Sequence, residues 1–247
     1  MYPKTVVSKI LLLAAVIFTG TIVLAPTVMA GHKPLGKRMY RVTITNITLG
    51  QPVAPSVIAT HTQEFRLFEL GGPTPAMGDP GYDVYFGLAT AAETGFPGTL
   101  LDAVSASKGV DEAVVLATAA SPPILLPGES NSTTIGASRF ANFLSIAAML
   151  GKTNDGFYAL RSVPLPLFIG ECKYYYADGY DAGSEENNET GIGGLDGDVG
   201  ETGVGINDGS GEGFIYVHAG IHGIGILDPE IYDWRNPVVE VKIQRIK

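Results

Sequence analysis

Both ends of the chain's second segment alternate with period two, and this limits the fold more than any other feature. In "MYRVTITNITLG", Tyr40, Val42 and Ile44 face one way while Arg41, Thr43 and Thr45 face the other. In "PVVEVKIQRIK", Val239, Val241 and Ile243 alternate with Glu240, Lys242 and Gln244. Side chains on a strand point to opposite faces in turn, so such a pattern of β-branched residues makes a half-buried strand. A domain that begins and ends on amphipathic strands must cover their apolar faces with a second layer. Between them lie "TQEFRLFEL", "ESNSTTIGAS", "FANFLSIAAML", "GFYALRSVPLP", "ECKYYYAD" and "GFIYVHAG", mostly separated by Gly, Pro, Asn or Asp. Many short strands at this spacing predict an all-β, antiparallel β-sandwich. The insert "DVYFGLATAAETGFPGTLLDAVSASKGVDEAVV" is rich in alanine and leucine, with Pro97 as a start signal. It predicts one or two short helices capping an end of the sheets.

Residues 1–30 read as a secretory signal. Lys4 and Lys9 precede an uncharged apolar run over residues 10–25, followed by Pro26 and the small-residue step Val28–Ala30. The run is shorter than the roughly 20 residues of a spanning helix. Cleavage is expected after Ala30, leaving a lead-in over residues 31–38 and one domain over residues 39–247. No membrane span is expected in the processed chain, which is placed outside the cell, in the periplasm or on the cell surface. A domain of this length buries enough core to fold without disulfides. Its one cysteine, Cys172, can form no intramolecular disulfide and is expected to be a buried small apolar group.

The net charge of −9 becomes −11 once the two signal lysines are removed. An acidic domain repels phosphate backbones, so nucleic acid is excluded as a partner. Nine carboxylates and no lysine or arginine fall between Asp181 and Glu212. The densest part is "GYDAGSEENNET", with Asp181, Glu185, Glu186 and Glu189. Such a cluster is either solvated or gathered around a cation. Residues 191–213 hold glycine and acid with little apolar content and predict a long loop. "GGLDGDVG" and "INDGSGEG" lack the nine-residue period of calcium repeats. Asp196 and Asp198 fit the first two ligand positions of an EF-hand loop, but Gly200 occupies the third.

Calcium takes six to eight oxygens, usually from loops gathered at one end of a scaffold. Asp155 in "KTNDGF" and Asp181 in "GYDAGS" each adjoin a predicted strand and a glycine-containing turn. A hairpin of "ESNSTTIGAS" and "FANFLSIAAML" around Arg139 would also bring Glu129 near the loop over residues 152–155. The candidate metal ligands are therefore Asp155, Asp181 and Glu129.

His218 and His222 in "VHAGIHGIG" would share a face on a helix and could chelate zinc. Their β-branched flanks and the two glycines disfavour a helix, and residues four apart on a strand stand about 13 Å apart. Histidines hydrogen-bonded to backbone or carboxylate at a strand end are the expectation, with a metal-dependent hydrolase as the rival. Ser130 lacks the G-x-S-x-G context of a nucleophile elbow, and Cys172 lacks an activating motif. Sequons at Asn46, Asn131 and Asn188 are attributed to chance.

"YRVTITNIT", "THTQEFRLFELG", "LPGES", "SIAAMLGKTNDGFYAL", "YDAGSEENNE" and "GFIYVHAGIHGIGILDPEIYDWRNPVVEVKI" together resemble the spondin domain in its bacterial branch, over residues 39–247. The resemblance implies a secreted, C2-like, calcium-binding sandwich of attachment and recognition, with no enzyme activity. It implies metal ligation by the aspartates matching Asp155 and Asp181, and leaves Glu185, Glu186 and Glu189 solvated. The animal relatives supply a further glutamate from a strand ahead of the first aspartate; "STTIGAS" has none, and Glu129 or a carbonyl would take its place. Those relatives also carry cysteines and thrombospondin-type repeats that this chain lacks, so integrin or matrix partners do not transfer. The expectation is a non-enzymatic, calcium-stabilised module with a protein or glycan ligand on a surface. A self-assembling envelope protein is the structural alternative, with a homo-oligomer as its consequence.

Overall fold

The computed structural model describes residues 36–190 and 210–247, so the signal segment and most of the glycine–acid loop lie outside the described residues. The unit Leu35–Lys247 contains every described element and both apolar cores. The strands are β1 (Arg38–Asn46), β2 (Ser56–His61), β3 (Val110–Leu116), β4 (Ser130–Ala137), β5 (Phe143–Met149), β6 (Gly156–Pro164), β7 (Cys172–Asp181), β8 (Tyr216–Val217) and β9 (Val239–Arg245). Helices α1 (Tyr82–Thr94) and α2 (Gly98–Ala106) lie between β2 and β3, and a single turn, α3 (Pro229–Tyr232), precedes β9.

Pairing is antiparallel throughout, in the order β3-β2-β5-β6-β7-β9-β1-β4, with β8 added to β7. Strand β7 belongs to both layers. Its first half, Cys172 to Ala177, pairs β9, and its last residues, Asp178 to Asp181, pair β6. The edge strands β3 and β4 are then drawn together by side chains. The Gly136 and Ser138 amides donate to Glu112 and Asp111, and Asn131 donates to the Ala117 carbonyl. The result is an all-β, antiparallel fold with few helices, as the alternating pattern predicts, its sheet closed nearly into a barrel.

Tyr40, Val42 and Ile44 of β1 and Val239, Val241 and Ile243 of β9 are fully buried. They meet Ile58, Leu144, Ile146 and Tyr158 from the other layer in the inner core. A second core covers the outer face of β2, β5 and β6, where Val57, Ala147 and Phe157 pack on Val84, Leu88, Leu100 and Val104 of the helices. Strand β2 is therefore buried on both faces.

Four expectations change. The predicted helical insert ends in β3, because Val110–Leu116 pairs with β2 and buries Leu116. "TQEFRLFEL" is turns and loop: Phe65 and Leu67 fill the helix-side core, not a ladder position. Strands β4 and β5 do not form a hairpin. Strand β4 pairs only with β1, while β5 lies between β2 and β6. Cys172, the first residue of β7, is half-buried rather than buried.

Candidate functional site: a buried aspartate pair

The β6–β7 hairpin decides which acids meet. Gly156 pairs with Asp181, so Asp155, one residue before β6, comes to the same end of the hairpin as Asp181, the last residue of β7. The Ala182 amide donates to the Asp155 carbonyl at 3.2 Å and fixes this register. Both aspartates have no solvent exposure.

The segment after β7 folds back over the pair. The Ser184 amide (2.7 Å), Ser184 hydroxyl (3.1 Å) and Glu185 amide (3.1 Å) all donate to Asp155 Oδ2. Among the described residues, Asp155 Oδ1 has no hydrogen-bond partner. For Asp181, Oδ1 accepts from the Gly183 amide at 2.8 Å and Oδ2 from Asn187 Nδ2 at 2.5 Å. Asn187 Nδ2 also donates to the Tyr216 hydroxyl at 2.8 Å. The fold-back needs Gly183: its φ is +67°, and a Cβ there would lie 2.2 Å from the Phe214 carbonyl oxygen.

Burial disfavours the charged form of an acid, and a like charge beside it does so further. Burial, then the Asp155 charge, pushes the Asp181 carboxyl up to about 7. Burial raises Asp155 as well, against the amide bonds from Glu185 and Ser184 that pull it down. Exposed Glu212 adds a third negative charge felt by both. Burial also drives the Tyr216 phenol upward, with Asp181 and Glu212 adding to the effect.

His218 closes the far side. Its Nδ1 accepts from the Gly220 amide at 3.0 Å, which leaves the proton on Nε2. That nitrogen has no hydrogen-bond partner and stands 3.9 Å from Asp181 Oδ2. Burial, then the charge of His222, lowers His218 to about 4, so it is neutral near pH 7. Beside it is a cavity of about 40 Å³ lined in part by Asn187, Glu189 and His222, room for a water molecule. His218 and His222 do not share a helix face. Both follow β8 in a loop where Gly220 has φ +96°, with His218 buried and His222 exposed.

Glu129 takes another role. Its carboxylate accepts from the Leu126 amide at 3.0 Å in the turn before β4, and its carbonyl accepts from Asn46. The hairpin that would have carried it toward residue 155 is absent, because β1 occupies that edge of β4. Among the described residues, no group of three or more His, Cys, Asp or Glu side chains is placed to hold a metal. The protein brings two carboxylates together, and further oxygens would be carbonyls or water.

Glu189 departs from its expected solvation. It is buried, and its carboxylate accepts from the His222 (2.5 Å), Ile224 (2.9 Å) and Gly225 (3.5 Å) amides. The acid-rich segment is thus tied to the loop that carries His222. Nothing in the local composition marks Glu189, Asn187 or Tyr216 for these roles.

A serine–histidine pair that the sequence does not announce lies elsewhere. Ser145 Oγ donates to His61 Nε2 at 2.8 Å, and His61 Nδ1–H donates to the Thr62 carbonyl at 2.7 Å. Both residues are buried at register shifts of β2 and β5. The larger concavity, about 530 Å³, lies between residues 64–75 and helix α1, with Phe65, Leu67, Val84 and Tyr85 on its walls. Tyr85 links it to the acid pair, donating to the Ala182 carbonyl at 3.4 Å. Burial, with Asp155, Glu93 and Asp181 adding to it, pushes the Tyr85 phenol up to about 12.

No helix among the described residues is long and apolar enough to cross a membrane. No family model matches the chain, and no curated protein matches it.

Proposed function

We propose that this is an exported, non-enzymatic β-sandwich module in which a divalent cation, calcium by its donor chemistry, is held by Asp155 and Asp181. The observation that carries the reading is the pair itself. Two aspartates without exposure meet at one end of the hairpin, close enough for the charge of one to push the other up, and among the described residues one keeps an unpartnered oxygen. Such a pair is costly unless a proton or a cation neutralises it. Hard oxygen donors suit calcium, with waters and carbonyls completing the shell. The resemblance to the spondin domain points the same way.

The cation's part is mechanical. Neutralising the pair stabilises the fold-back over residues 182–189, and through Glu189 the loop over residues 222–226. The groove beside Tyr85 shares that support and is the recognition surface this reading favours for a protein or glycan ligand.

Calorimetric titration with calcium tests the proposal. At pH 8 the protein should bind calcium and its melting temperature should rise by mass action. At pH 6 the affinity should be lower and binding should release protons, because Asp181 must ionise first. Asp155→Asn and Asp181→Asn should each abolish the heat. Identical melting in calcium and in chelator would remove the site.

A further inference from the structure

The opposite end of the same hairpin carries a surface of reversed character. Strand β6 is nine residues long, so the β6–β7 turn lies roughly 30 Å from the aspartate pair at about 3.3 Å per residue. Three consecutive large apolar side chains stand exposed on that turn: Leu167 (58%), Phe168 (73%) and Ile169 (69%). Phe140, 63% exposed, joins them from the adjacent β4–β5 loop, which is tied to the turn by the Leu165 amide donating to the Asn142 carbonyl.

The loop is held rigid while these side chains point out. The Leu167 and Phe168 amides donate to Glu171 Oε2 at 2.8 and 2.9 Å, and the Leu167 carbonyl accepts from the Arg245 guanidinium. The Gly170 amide donates to the Arg245 carbonyl at 2.8 Å, and the Tyr40 hydroxyl donates to the Pro166 carbonyl at 3.2 Å. A tip that turns much of its main-chain hydrogen bonding inward strands fewer polar groups on entering an apolar medium.

Around this tip are Arg38, Arg139, Lys173, Arg245 and Lys247, against one acid, Glu171. Among the described residues none of the five makes an ion pair; nearby Lys37 is matched by Asp111 and Glu112 at 3.5 and 2.8 Å. Arg139 lies over the Phe140 ring at 4.5 Å. In a chain of net charge −9, a net positive ring around an apolar tip is a local reversal, with Arg139 and Lys247 the exposed members while Arg38 and Lys173 also donate to the Ser138, Ala141 and Leu165 carbonyls. Apolar side chains that enter the acyl boundary, with lysine and arginine at headgroup level, fit an anionic lipid surface. The apolar groove on the other side suits the tip of a second copy less well. Its rim charges are already matched, with Lys108 3.3 Å from Glu64, and offer nothing to this ring.

We infer that the β6–β7 tip is a docking surface for an anionic lipid bilayer, independent of the cation reading. The test uses residues 31–247, which contain the whole Leu35–Lys247 unit, in co-sedimentation with vesicles. Vesicles of phosphatidylcholine with about 30% phosphatidylglycerol should pellet the protein, and pure phosphatidylcholine should not. The triple variant L167S/F168S/I169S should lose at least tenfold in partitioning, and R139E/K247E should lose several-fold at low salt only. Both sets of side chains are exposed, so unchanged melting curves are expected and show that the variants fold. Absence of vesicle binding by the wild type, or equal binding by the triple variant, overturns the inference. So does a wild type that ignores vesicles but elutes as an oligomer dissolved by the triple variant, which assigns the tip to a second copy. Repeating the assay in chelator separates the two proposals, since lipid binding through this tip persists without calcium.

Discussion

Replacing Asp181 by asparagine should stabilise the cation-free protein, and the magnitude follows from the burial of the group. The carboxyl has an ordinary value of 3.8 and titrates at about 7 in the fold. Its folded value lies above the unfolded one, so the fold binds the extra proton. The associated stability is full below pH 3.8 and is lost as pH rises through 7. At roughly 1.4 kcal/mol per pH unit, ionised Asp181 costs the cation-free fold about 4 kcal/mol at pH 8. The neutral amide of the variant removes that cost but weakens the bonds from the Gly183 amide and Asn187, at about 1 kcal/mol each. A net gain of about 1–3 kcal/mol remains, or about 2–12 °C in melting temperature for a domain of this size. Scanning calorimetry at pH 8 in chelator reads it directly, and at pH 5 the gain should fall away. Calcium at about 100 times its Kd should then add about 2.7 kcal/mol to the wild type and nothing to the variant. A variant less stable than wild type in chelator at pH 8 would refute the reasoning, because the carboxylate would then be a net stabilising acceptor.

Two further outcomes follow from the neighbours of the pair. Glu189→Ala leaves the His222, Ile224 and Gly225 amides without their acceptor and should lower unfolding free energy by about 3 kcal/mol; a loss under about 1 kcal/mol in urea titration would show that water replaces the carboxylate freely. His218, lowered from 6.5 to about 4, stays neutral in the fold, so its stabilising contribution is full above pH 6.5 and lost as pH falls toward 4. His218→Asn keeps an acceptor for the Gly220 amide and should flatten this acid limb by up to about 3 kcal/mol between those pH values; equal slopes for the two proteins would exclude His218 as the titrating group.

The terminal strands were legible because each shows local alternation. Tyr40, Val42 and Ile44 declare a buried face whatever lies opposite, and the structure buries all three. Strands β2, "SVIATH", and β5 are buried on both faces and carry no alternation; β5 lies in a punctuated apolar run that marks it, whereas β2 does not. Its partner β3 was hidden for a related reason, lying behind a helical insert whose alanine-rich composition masks the change of state.

Local pattern determined the terminal strands and the turn positions of Asp155 and Asp181, because backbone preference and side-chain alternation act within a few residues. The long-range pairings decided the remainder. The Gly156–Asp181 register brought the two acids to one end of the hairpin, the β1–β4 pairing sent Glu129 elsewhere, and the fold-back over residues 182–189 buried Glu189 among amides. Whether a carboxylate is solvated, hydrogen-bonded or left facing another charge depends on which distant segment covers it, and that is settled only when the sheet closes.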